Sequence, residues 1–195
     1  GTDTGAGKTH VTSALLRALN AAGRRAVGFK PVACGDRLDA EHLRVAGADP
    51  ALGLHAINPV FFRSPLSPAA AGLIEGKSVD FPAIDAALAA LEAASDVVLV
   101  EGAGGWLVPL EGSRTFGDWA AEKGWPVLLV VNNRLGALNH TLLTLEAIRS
   151  RGVTCRGLIL NHVADERDAA SISNKVLLER LTDVPVLADV LHGDD

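Results

Sequence analysis

The opening nonapeptide, which is rich in glycine and ends in Gly-Lys-Thr, constrains this chain more than any other feature. It reads GTDTGAGKT and occupies positions 1–9. Apolar residues then recur with helical spacing until Gly23, so a helix begins at the end of the nonapeptide. Glycines let backbone N–H groups face inward around an anion, and a helix N-terminus adds partial positive charge. The segment is therefore predicted to bind phosphate. The alternative is a glycine-rich turn that opens an ordinary helix.

Two side chains at the end of this loop carry the predicted chemistry. In a loop of this kind Lys8 reaches the β- and γ-phosphates, and the Thr9 hydroxyl binds Mg²⁺. The usual spacing places four residues between the first glycine and Gly-Lys, whereas five separate Gly1 from Gly7 here. Because a strand normally leads into such a loop, we expect the natural chain to begin before Gly1.

Composition narrows the class of protein. The chain has 195 residues, 48% of them hydrophobic, and a net charge of −5, which predicts one soluble domain over positions 1–195. The apolar runs are much shorter than the roughly 20 residues of a membrane span, and there is no cluster of basic residues, so we expect neither a membrane nor a nucleic-acid partner. Cys34 and Cys155 lack the spacing of metal ligands, which favours free thiols in the reducing cytoplasm.

Short apolar runs alternate with segments of helical spacing along the chain. The runs predicted to be strands are 26–29, 96–101, 126–131, 157–160 and 184–190. The predicted helices follow the loop as far as position 22, and then cover positions near 39–46, 84–91, 138–148 and 176–181. The unbroken apolar centres of the strands at 96–101, 126–131 and 157–160 predict burial on both faces. The alternation predicts an α/β fold with three layers, α/β/α, around a mostly parallel sheet.

Ligands of such folds bind at the carboxyl ends of the strands, so the residues at those ends are candidates for a site. Glu101 follows a strand and precedes Gly-Ala-Gly-Gly, which makes it the best carboxylate for Mg²⁺. Asp39 is the second candidate, with a helix N-cap as its alternative role. Lys30 follows the strand at 26–29 and is suited to stabilise developing negative charge, although an isolated lysine is usually surface charge. Asn161 is suited either to read an adenine edge or to cap a strand.

Several motifs together resemble the dethiobiotin synthetase family. They are GTDTGAGKT, KPVACG, VEGAGGWLVPL, LGALNHTLLTLEAI and GLILNHV, in this order. The first has a loop that is one residue longer than usual, as in that family. The resemblance implies a P-loop ATPase-like fold, a homodimer, and the use of ATP, Mg²⁺ and CO₂ (or bicarbonate) to close a ureido ring on 7,8-diaminononanoate. In the implied mechanism, a carbamate attacks the γ-phosphate and the second amine then displaces phosphate from a mixed anhydride.

The resemblance also implies roles for particular positions. The catalytic residues would be Lys30, Lys8 and Thr4. The metal ligands would be Thr9, Asp39 and Glu101. The nucleotide-binding residues would be Gly5, Ala6, Gly7, Lys8, Thr9, His10, Asn161 and His162. The substrate-binding residues would be Thr4, Lys30, Cys34, Gly102, Ala103, Gly104, Gly105, Leu138 and Asn139. The last two open a helix that, by the resemblance, binds the substrate carboxylate from the neighbouring subunit.

Two departures from the family and two alternatives remain at this point. Cys34 stands where the family usually has Ser or Thr, and the stretch from Gly35 to Asp39 is shorter than usual.

One alternative is an amidating ATPase related to cobyrinate diamide synthetase, but such enzymes carry a glutaminase domain for which 195 residues leave no room. The other is a nucleotide switch of the ParA or MinD type, which would have a second lysine early in the loop, where this chain has Thr2, Asp3 and Thr4.

Overall fold

The computed structural model describes residues 1–165 and 169–193, in which helices and strands alternate. The helices are α1 (Lys8–Ala21), α2 (Leu38–Ala46), α3 (Leu54–Ile57), α4 (Pro68–Glu75), α5 (Phe81–Ala94), α6 (Phe116–Lys123), α7 (Ala137–Arg149) and α8 (Ala169–Leu181). The strands are β1 (Ala26–Phe29), β2 (Val32–Cys34), β3 (Val60–Phe62), β4 (Val97–Val100), β5 (Pro109–Glu111), β6 (Arg114–Thr115), β7 (Val127–Asn132), β8 (Cys155–Asn161) and β9 (Val186–Val190).

The strands pair mainly in parallel, which confirms the predicted α/β class. β1 pairs with β4, β2 pairs with β3, and β8 lies between β7 and β9. All of these pairs are parallel, as expected for strands connected through helices. The predicted strand at 26–29 has those bounds in the structure, and the other predicted strands and helices are present with shifted ends.

Burial of the strands differs from the prediction in β7 and in β4. In β7, whose sequence predicted burial on both faces, Leu128 is exposed. Every residue of β4 is half-buried, whereas its unbroken apolar sequence predicted burial on both faces. Within the described residues β4 pairs with β1 alone, and an edge strand leaves part of its surface uncovered. In contrast, residues 157–160 of β8, which has a neighbour on each side, are buried.

The chain groups into two compact units, which we name by their most informative residues. The loop unit comprises Gly1–Lys8, Gly104–Val108 and the described part of Thr115–Asp195. The carboxylate unit comprises Thr9–Ala103 and Pro109–Arg114. Each unit therefore has its own set of parallel strands, with β7, β8 and β9 in the first and β1 to β4 in the second.

In the carboxylate unit, β1 is buried beneath two helices. A Cβ on Gly28 would lie 2.7 Å from Cβ of Leu43 on α2 and 3.1 Å from Cδ1 of Leu16 on α1. A side chain at this position would therefore force both helices away from the strand, and glycine permits the close approach. This packing fixes the carboxyl end of β1, where Lys30 lies.

In the loop unit, β7 and β8 pack against helices α7 and α8. The core cluster consists of Leu129, Val131, Ala137, Leu145, Ile148, Val153, Leu158, Leu160, Leu178 and Val184. These apolar residues come from strand and helix faces with matching periodicity, so their burial supplies most of the driving force for this unit. The core holds the ends of β7 and β8 in place, next to which the opening loop is attached.

The segment after Lys30 contains β2, a strand that the sequence did not predict. Residues Val32–Cys34 pair in register with Val60–Phe62 of β3. Strands of three residues carry too little periodicity to be recognised in a sequence, and prolines at positions 31 and 59 obscured them further. Among the described residues there is no helix long and apolar enough to cross a membrane.

Candidate functional site

The nonapeptide has the conformation of an anion-binding loop. Gly5 and Gly7 have φ values of +72° and +80°, in the left-handed region that favours glycine. Lys8 is the first residue of α1, and its Nζ donates a hydrogen bond to the carbonyl oxygen of Asp3 at 3.1 Å. The middle of the loop, including Asp3 and Gly5, is exposed. The loop thus presents its backbone and the Lys8 ammonium to solvent, where an anionic ligand can enter.

Two hydrogen bonds attach the loop to the strands of its own unit. The Thr2 N–H donates to the carbonyl of Val130 in β7 at 3.0 Å. Asn161, the last residue of β8, donates from Nδ2 to the carbonyl of Ala6 at 3.0 Å and is 4% exposed. A Cβ on Gly7 would lie only 2.0 Å from that same nitrogen. Asn161 therefore braces the loop through one amide N–H, in addition to any contact with a base.

The glycines after Glu101 have a packing role that the sequence did not indicate. Gly104 has φ of +67°, and a Cβ there would lie 2.7 Å from Cγ2 of Val108 and 3.3 Å from Oγ1 of Thr4. A Cβ on Gly105 would lie 3.3 Å from the carbonyl oxygen of Thr2. This stretch consequently lies against the opening loop within the loop unit, which brings together the predicted substrate residues Thr4, Gly104 and Gly105.

His162 is buried in a polar network behind Asn161. Its Nε2 lies 2.8 Å from Oδ1 of Asp189 and 3.0 Å from Nδ2 of Asn133. The side chain of Asn174 joins the network by donating to Oδ1 of Asn133 at 2.8 Å. His162 is only 4% exposed, so its ring supports the end of β8, and its role in binding nucleotide remains a prediction.

The carboxylate unit contains a compact ion cluster, the lysine–carboxylate cluster, made of Thr9, Lys30, Asp39 and Glu101. Nζ of Lys30 lies 2.6 Å from Oδ2 of Asp39, 2.7 Å from Oε1 of Glu101 and 3.4 Å from the carbonyl oxygen of Gly102. The Thr9 hydroxyl donates to Oε1 of Glu101 at 2.8 Å. The side chains of Lys30 and Glu101 are 4% and 2% exposed, whereas that of Asp39 is 49% exposed. The structure thus brings together the four residues that were predicted from separate strand and helix ends.

The protonation state of Lys30 follows from its neighbours. Burial lowers the pKa of a lysine, but the charges of Glu101 and Asp39 and their hydrogen bonds outweigh burial, so the pKa of Lys30 is raised above its ordinary value of 10.5. Lys30 is therefore an ammonium at neutral pH. A fixed, desolvated positive charge of this kind is suited to stabilise an anion or a transferring phosphoryl group.

One atom of the cluster lacks a protein partner. Oε2 of Glu101 is buried and accepts no hydrogen bond from any described residue. A buried carboxylate oxygen without a partner is costly, and a bound cation would satisfy it. Thr9, Asp39 and Glu101 together offer the hard oxygen ligands that Mg²⁺ takes alongside nucleotide phosphates and water. The residues therefore fit a magnesium ion that accompanies a nucleotide.

A helix N-cap was the alternative role of Asp39. Arg37, not Asp39, occupies the N-cap position of α2, and Asp39 is the second residue of the helix. Its carboxylate is then free of the capping role and contacts Lys30. A carboxylate in the first turn is also favoured by the helix dipole.

The remaining predicted residues lie in several environments. Cys34 ends β2, and burial together with the charge of Glu75 raises the pKa of its thiol to about 11. Cys34 is therefore a neutral thiol at pH 7, and its contact with the substrate remains a prediction. Leu138 packs partly against the core cluster of the loop unit, while Asn139 is exposed. His10 is half-buried near the start of α1.

Sequence analysis missed two residues that adjoin the cluster. Asn58, which is fully buried, donates from Nδ2 to the carbonyl of Lys30 at 2.7 Å and to that of Val60 at 2.9 Å. Arg37 donates from Nε to Oδ1 of Asn58 at 2.8 Å. The Asn-Pro dipeptide at 58–59 indicated a turn, but nothing in the spacing pointed to a link with Lys30.

The parallel strands, the glycine-rich loop that opens a helix, and the lysine–carboxylate cluster define a P-loop nucleotide-binding α/β protein. Among solved structures, the chain is similar to the septum site-determining protein MinD from Pyrococcus horikoshii, a complex with Mg-ADP, with a TM-score of 0.56 and 20% identity over 95% of this chain and 76% of that one. Identity this low shows the fold alone, so it does not favour the switch alternative.

Comparison of sequences identifies the family. A family model described as an AAA domain matches residues 1–192. The chain is 49% identical to the ATP-dependent dethiobiotin synthetase BioD of Akkermansia muciniphila over all of this chain and 91% of that protein. It is 47% identical to the corresponding protein of Anaeromyxobacter sp. strain K, over 93% of this chain and 83% of the relative. The chain belongs to the family of ATP-dependent dethiobiotin synthetases, which are ligases of biotin biosynthesis, and the predicted resemblance is confirmed.

Proposed function

We propose that this protein closes the ureido ring of dethiobiotin on 7,8-diaminononanoate, with CO₂ as the carbon source and ATP as the phosphoryl donor. One amine of the substrate adds to CO₂ and loses a proton, which gives a carbamate. A carbamate oxygen then attacks the γ-phosphorus of ATP and ADP leaves. The second amine attacks the carbonyl carbon of this mixed anhydride, so phosphate leaves and the ring closes. The observation that carries the proposal is the buried Lys30 ammonium between Asp39 and Glu101.

The loop and the cluster have separate tasks in this proposal. The backbone N–H groups of residues 5–9 and the Lys8 ammonium bind the phosphates of ATP. Thr9, Asp39 and Glu101 would hold Mg²⁺, which neutralises phosphate charge when bound. Lys30 stabilises the carbamate and the negative charge that develops during phosphoryl transfer. Lys8 and Thr9 are consecutive residues at the start of α1, which supports their joint assignment.

The diamine and the adenine would contact the remaining predicted residues. Thr4, Cys34 and the Gly102–Gly105 stretch are assigned to the diamine, and the proximity of Thr4 to Gly104 supports this grouping. Asn161 and His162 are assigned to the adenine, with Asn161 also holding the loop through Ala6.

A homodimer is part of the proposal. Leu138 and Asn139 lie in the first turn of α7, after Gly136 at φ of +93°, and free N–H groups there suit the substrate carboxylate of the neighbouring subunit. Leu135 and Leu143, in and just before α7, are 74% and 57% exposed, as expected of residues that another chain covers. We also propose that residues 1–195 act as one P-loop domain in the cytoplasm, where the free thiols of Cys34 and Cys155 stay reduced.

Phosphate release from MgATP tests the function directly. With the diamine and bicarbonate present, we expect phosphate and dethiobiotin to appear in equal amounts, and we expect no phosphate when the diamine is left out. A nucleotide switch would instead release phosphate at the same rate with or without diamine. Dethiobiotin is measured by mass spectrometry, so an unrelated ATPase contaminant is also recognised.

A further inference from the structure

Lys30 is fixed at the end of β1 by hydrogen bonds to both of its backbone groups. Its N–H donates to the carbonyl of Ile57 at 2.8 Å, and its carbonyl accepts from Nδ2 of Asn58 at 2.7 Å. The next residue, Pro31, has no N–H, so the strand cannot continue its ladder here. The buried amide of Asn58 supplies a donor to the Lys30 carbonyl and another to the carbonyl of Val60.

Arg37 attaches the start of α2 to that same amide. Its Nε donates to Oδ1 of Asn58 at 2.8 Å, and one terminal nitrogen donates to the Asn58 carbonyl oxygen. The guanidinium lies 5.6 Å from the centre of the Phe61 ring, which adds a cation–π contact. Arg37 also occupies the N-cap position, where its carbonyl accepts from the N–H of Glu41 at 3.0 Å. Its side chain therefore ties the residue that precedes α2 to Asn58.

These contacts close a ring around the lysine–carboxylate cluster. Asn58 holds Lys30, Arg37 holds Asn58, and α2 carries Asp39 two residues after Arg37. The ring closes at the 2.6 Å contact between Lys30 and Asp39. We propose that Arg37 and Asn58 are positioning residues, which hold the Lys30 ammonium and the Asp39 carboxylate in register for phosphoryl transfer and magnesium binding. This inference rests on the proposed function of the cluster.

Arg44 provides a matched control on the same helix. It also forms hydrogen bonds through its guanidinium, from Nε to Glu41 at 2.8 Å and from a terminal nitrogen to the carbonyl of Pro50 at 2.5 Å. Both arginines are half-buried, but none of the Arg44 contacts reaches Lys30, Asn58 or Asp39. Losing either guanidinium removes similar packing, so the two variants differ chiefly in their connection to the cluster.

The test compares Arg37→Ala with Arg44→Ala. A misplacement of about 1 Å in a catalytic group costs up to about 100-fold, so we expect Arg37→Ala to lower kcat by about 10-fold to 100-fold. The phosphate loop is untouched, so KM for ATP should stay within about twofold while the magnesium concentration for half-maximal rate rises. Arg44→Ala should leave all three values within about twofold. Arg37→Gln, which retains one donor, should restore part of kcat.

Two further readouts separate positioning from a merely structural role. In an Asp39→Asn background, Arg37→Ala should lower kcat by a smaller factor than in the wild-type background, because one of the two groups that it positions has already lost its charge. Adding Mg²⁺ to the ADP complex should raise the thermal midpoint less in Arg37→Ala than in wild type or Arg44→Ala. This last measurement needs no turnover, so it decides the inference even if the wild-type protein released no phosphate with the diamine. Equal magnesium shifts in the three proteins, or an equal loss of kcat in both backgrounds, would overturn the inference.

Discussion

The phosphate loop and the lysine–carboxylate cluster solve the problem of binding charge in opposite ways. The loop uses consecutive residues, glycine conformations and backbone N–H groups, and its middle is exposed. The cluster uses side chains from positions 9, 30, 39 and 101, and its two central members are almost fully buried. A backbone site needs only the right local sequence. A side-chain site of this kind exists only when several elements are packed correctly.

The difference in exposure between the loop and the cluster also suits them to different tasks, the loop to binding and the cluster to catalysis. Hydrated phosphates can enter the exposed loop, where N–H groups and a lysine contribute affinity. In the proposed function, the buried ammonium, which is held by two carboxylates, acts in surroundings of low dielectric constant, where charge has its greatest effect on a transition state. We therefore expect substitutions in the loop to change binding and substitutions in the cluster to change rate.

We expect the largest difference between two single variants, Lys30→Ala in the cluster and Lys8→Ala in the loop. Lys30→Ala should lower kcat by about 1,000-fold while the Kd for ATP stays within about threefold, since a charge aimed at the transition state is lost. Lys8→Ala should weaken ATP binding by about 10-fold to 100-fold. Isothermal titration with ATP and single-turnover kinetics with the diamine measure the two effects. Lys30→Arg tests geometry as well as charge. The comparison fails if Lys30→Ala retains near-normal turnover.

The next largest expected effect is on the free energy of unfolding, which should fall more in Lys30→Met than in Lys77→Met. Lys30→Met leaves the buried Glu101 without its cation, which should cost about 3 kcal/mol of unfolding free energy in urea without magnesium. Lys77→Met is the control, because the Lys77 ammonium pairs with Glu75 at 3.2 Å with 56% of its side chain exposed, and we expect less than about 1 kcal/mol. A similar loss in both variants would mean that the cluster is no more than a surface pair.

The same experiment has a predicted pH dependence. Because the pKa of Lys30 is raised in the folded protein, its contribution is fully present below the ordinary value of 10.5 and is lost as the pH rises through the folded pKa. The stability difference between wild type and Lys30→Met should therefore be constant from pH 6 to 9. If magnesium occupies the cluster, adding it with ADP should recover part of the loss in Lys30→Met.

Substitution of Asn161, whose amide donates to the Ala6 carbonyl of the loop, should have a smaller effect, and this effect is on nucleotide affinity. Asn161→Ala removes the donor to the Ala6 carbonyl, so affinity should fall about 10-fold for every nucleoside triphosphate and for inorganic tripolyphosphate. Asn174→Ala, which deletes another buried amide of the loop unit, should change these affinities by less than about twofold. A loss confined to ATP would show that Asn161 only reads the adenine.

The smallest expected effect concerns Cys34 in the carboxylate unit. With a pKa of about 11, its thiol should react with iodoacetamide at pH 8 about 100-fold more slowly than an ordinary exposed cysteine. The rate should rise about tenfold per pH unit up to that value, measured by mass spectrometry in a Cys155→Ser background. Rapid labelling at pH 8 would mean that the end of β2 is less enclosed than the structure indicates.

Prediction from sequence succeeded where residues act through local pattern. The helix after the loop, the strand β1 and the carboxyl-end positions of Lys30, Glu101 and Asn161 all followed from periodicity and from the rules of parallel sheets. Prediction from sequence was less successful where the role of a residue depends on a contact with another residue that is distant in the sequence. The resemblance predicted the glycines at 104 and 105 as substrate-binding residues, and they also make room for the opening loop.

The sequence by itself determined the α/β class, the phosphate loop and the family, because consecutive residues encode backbone conformation and periodicity. Tertiary structure alone decided that Asp39 meets Lys30, that Arg37 and Asn58 connect Lys30 with the start of α2, and that one oxygen of Glu101 has no partner among the described residues. These contacts join residues 9 to 28 positions apart, and their strength depends on burial, which packing creates. Charge and hydrogen-bonding capacity can be read from a residue's type, but the neighbours that give them effect are set only when the chain folds.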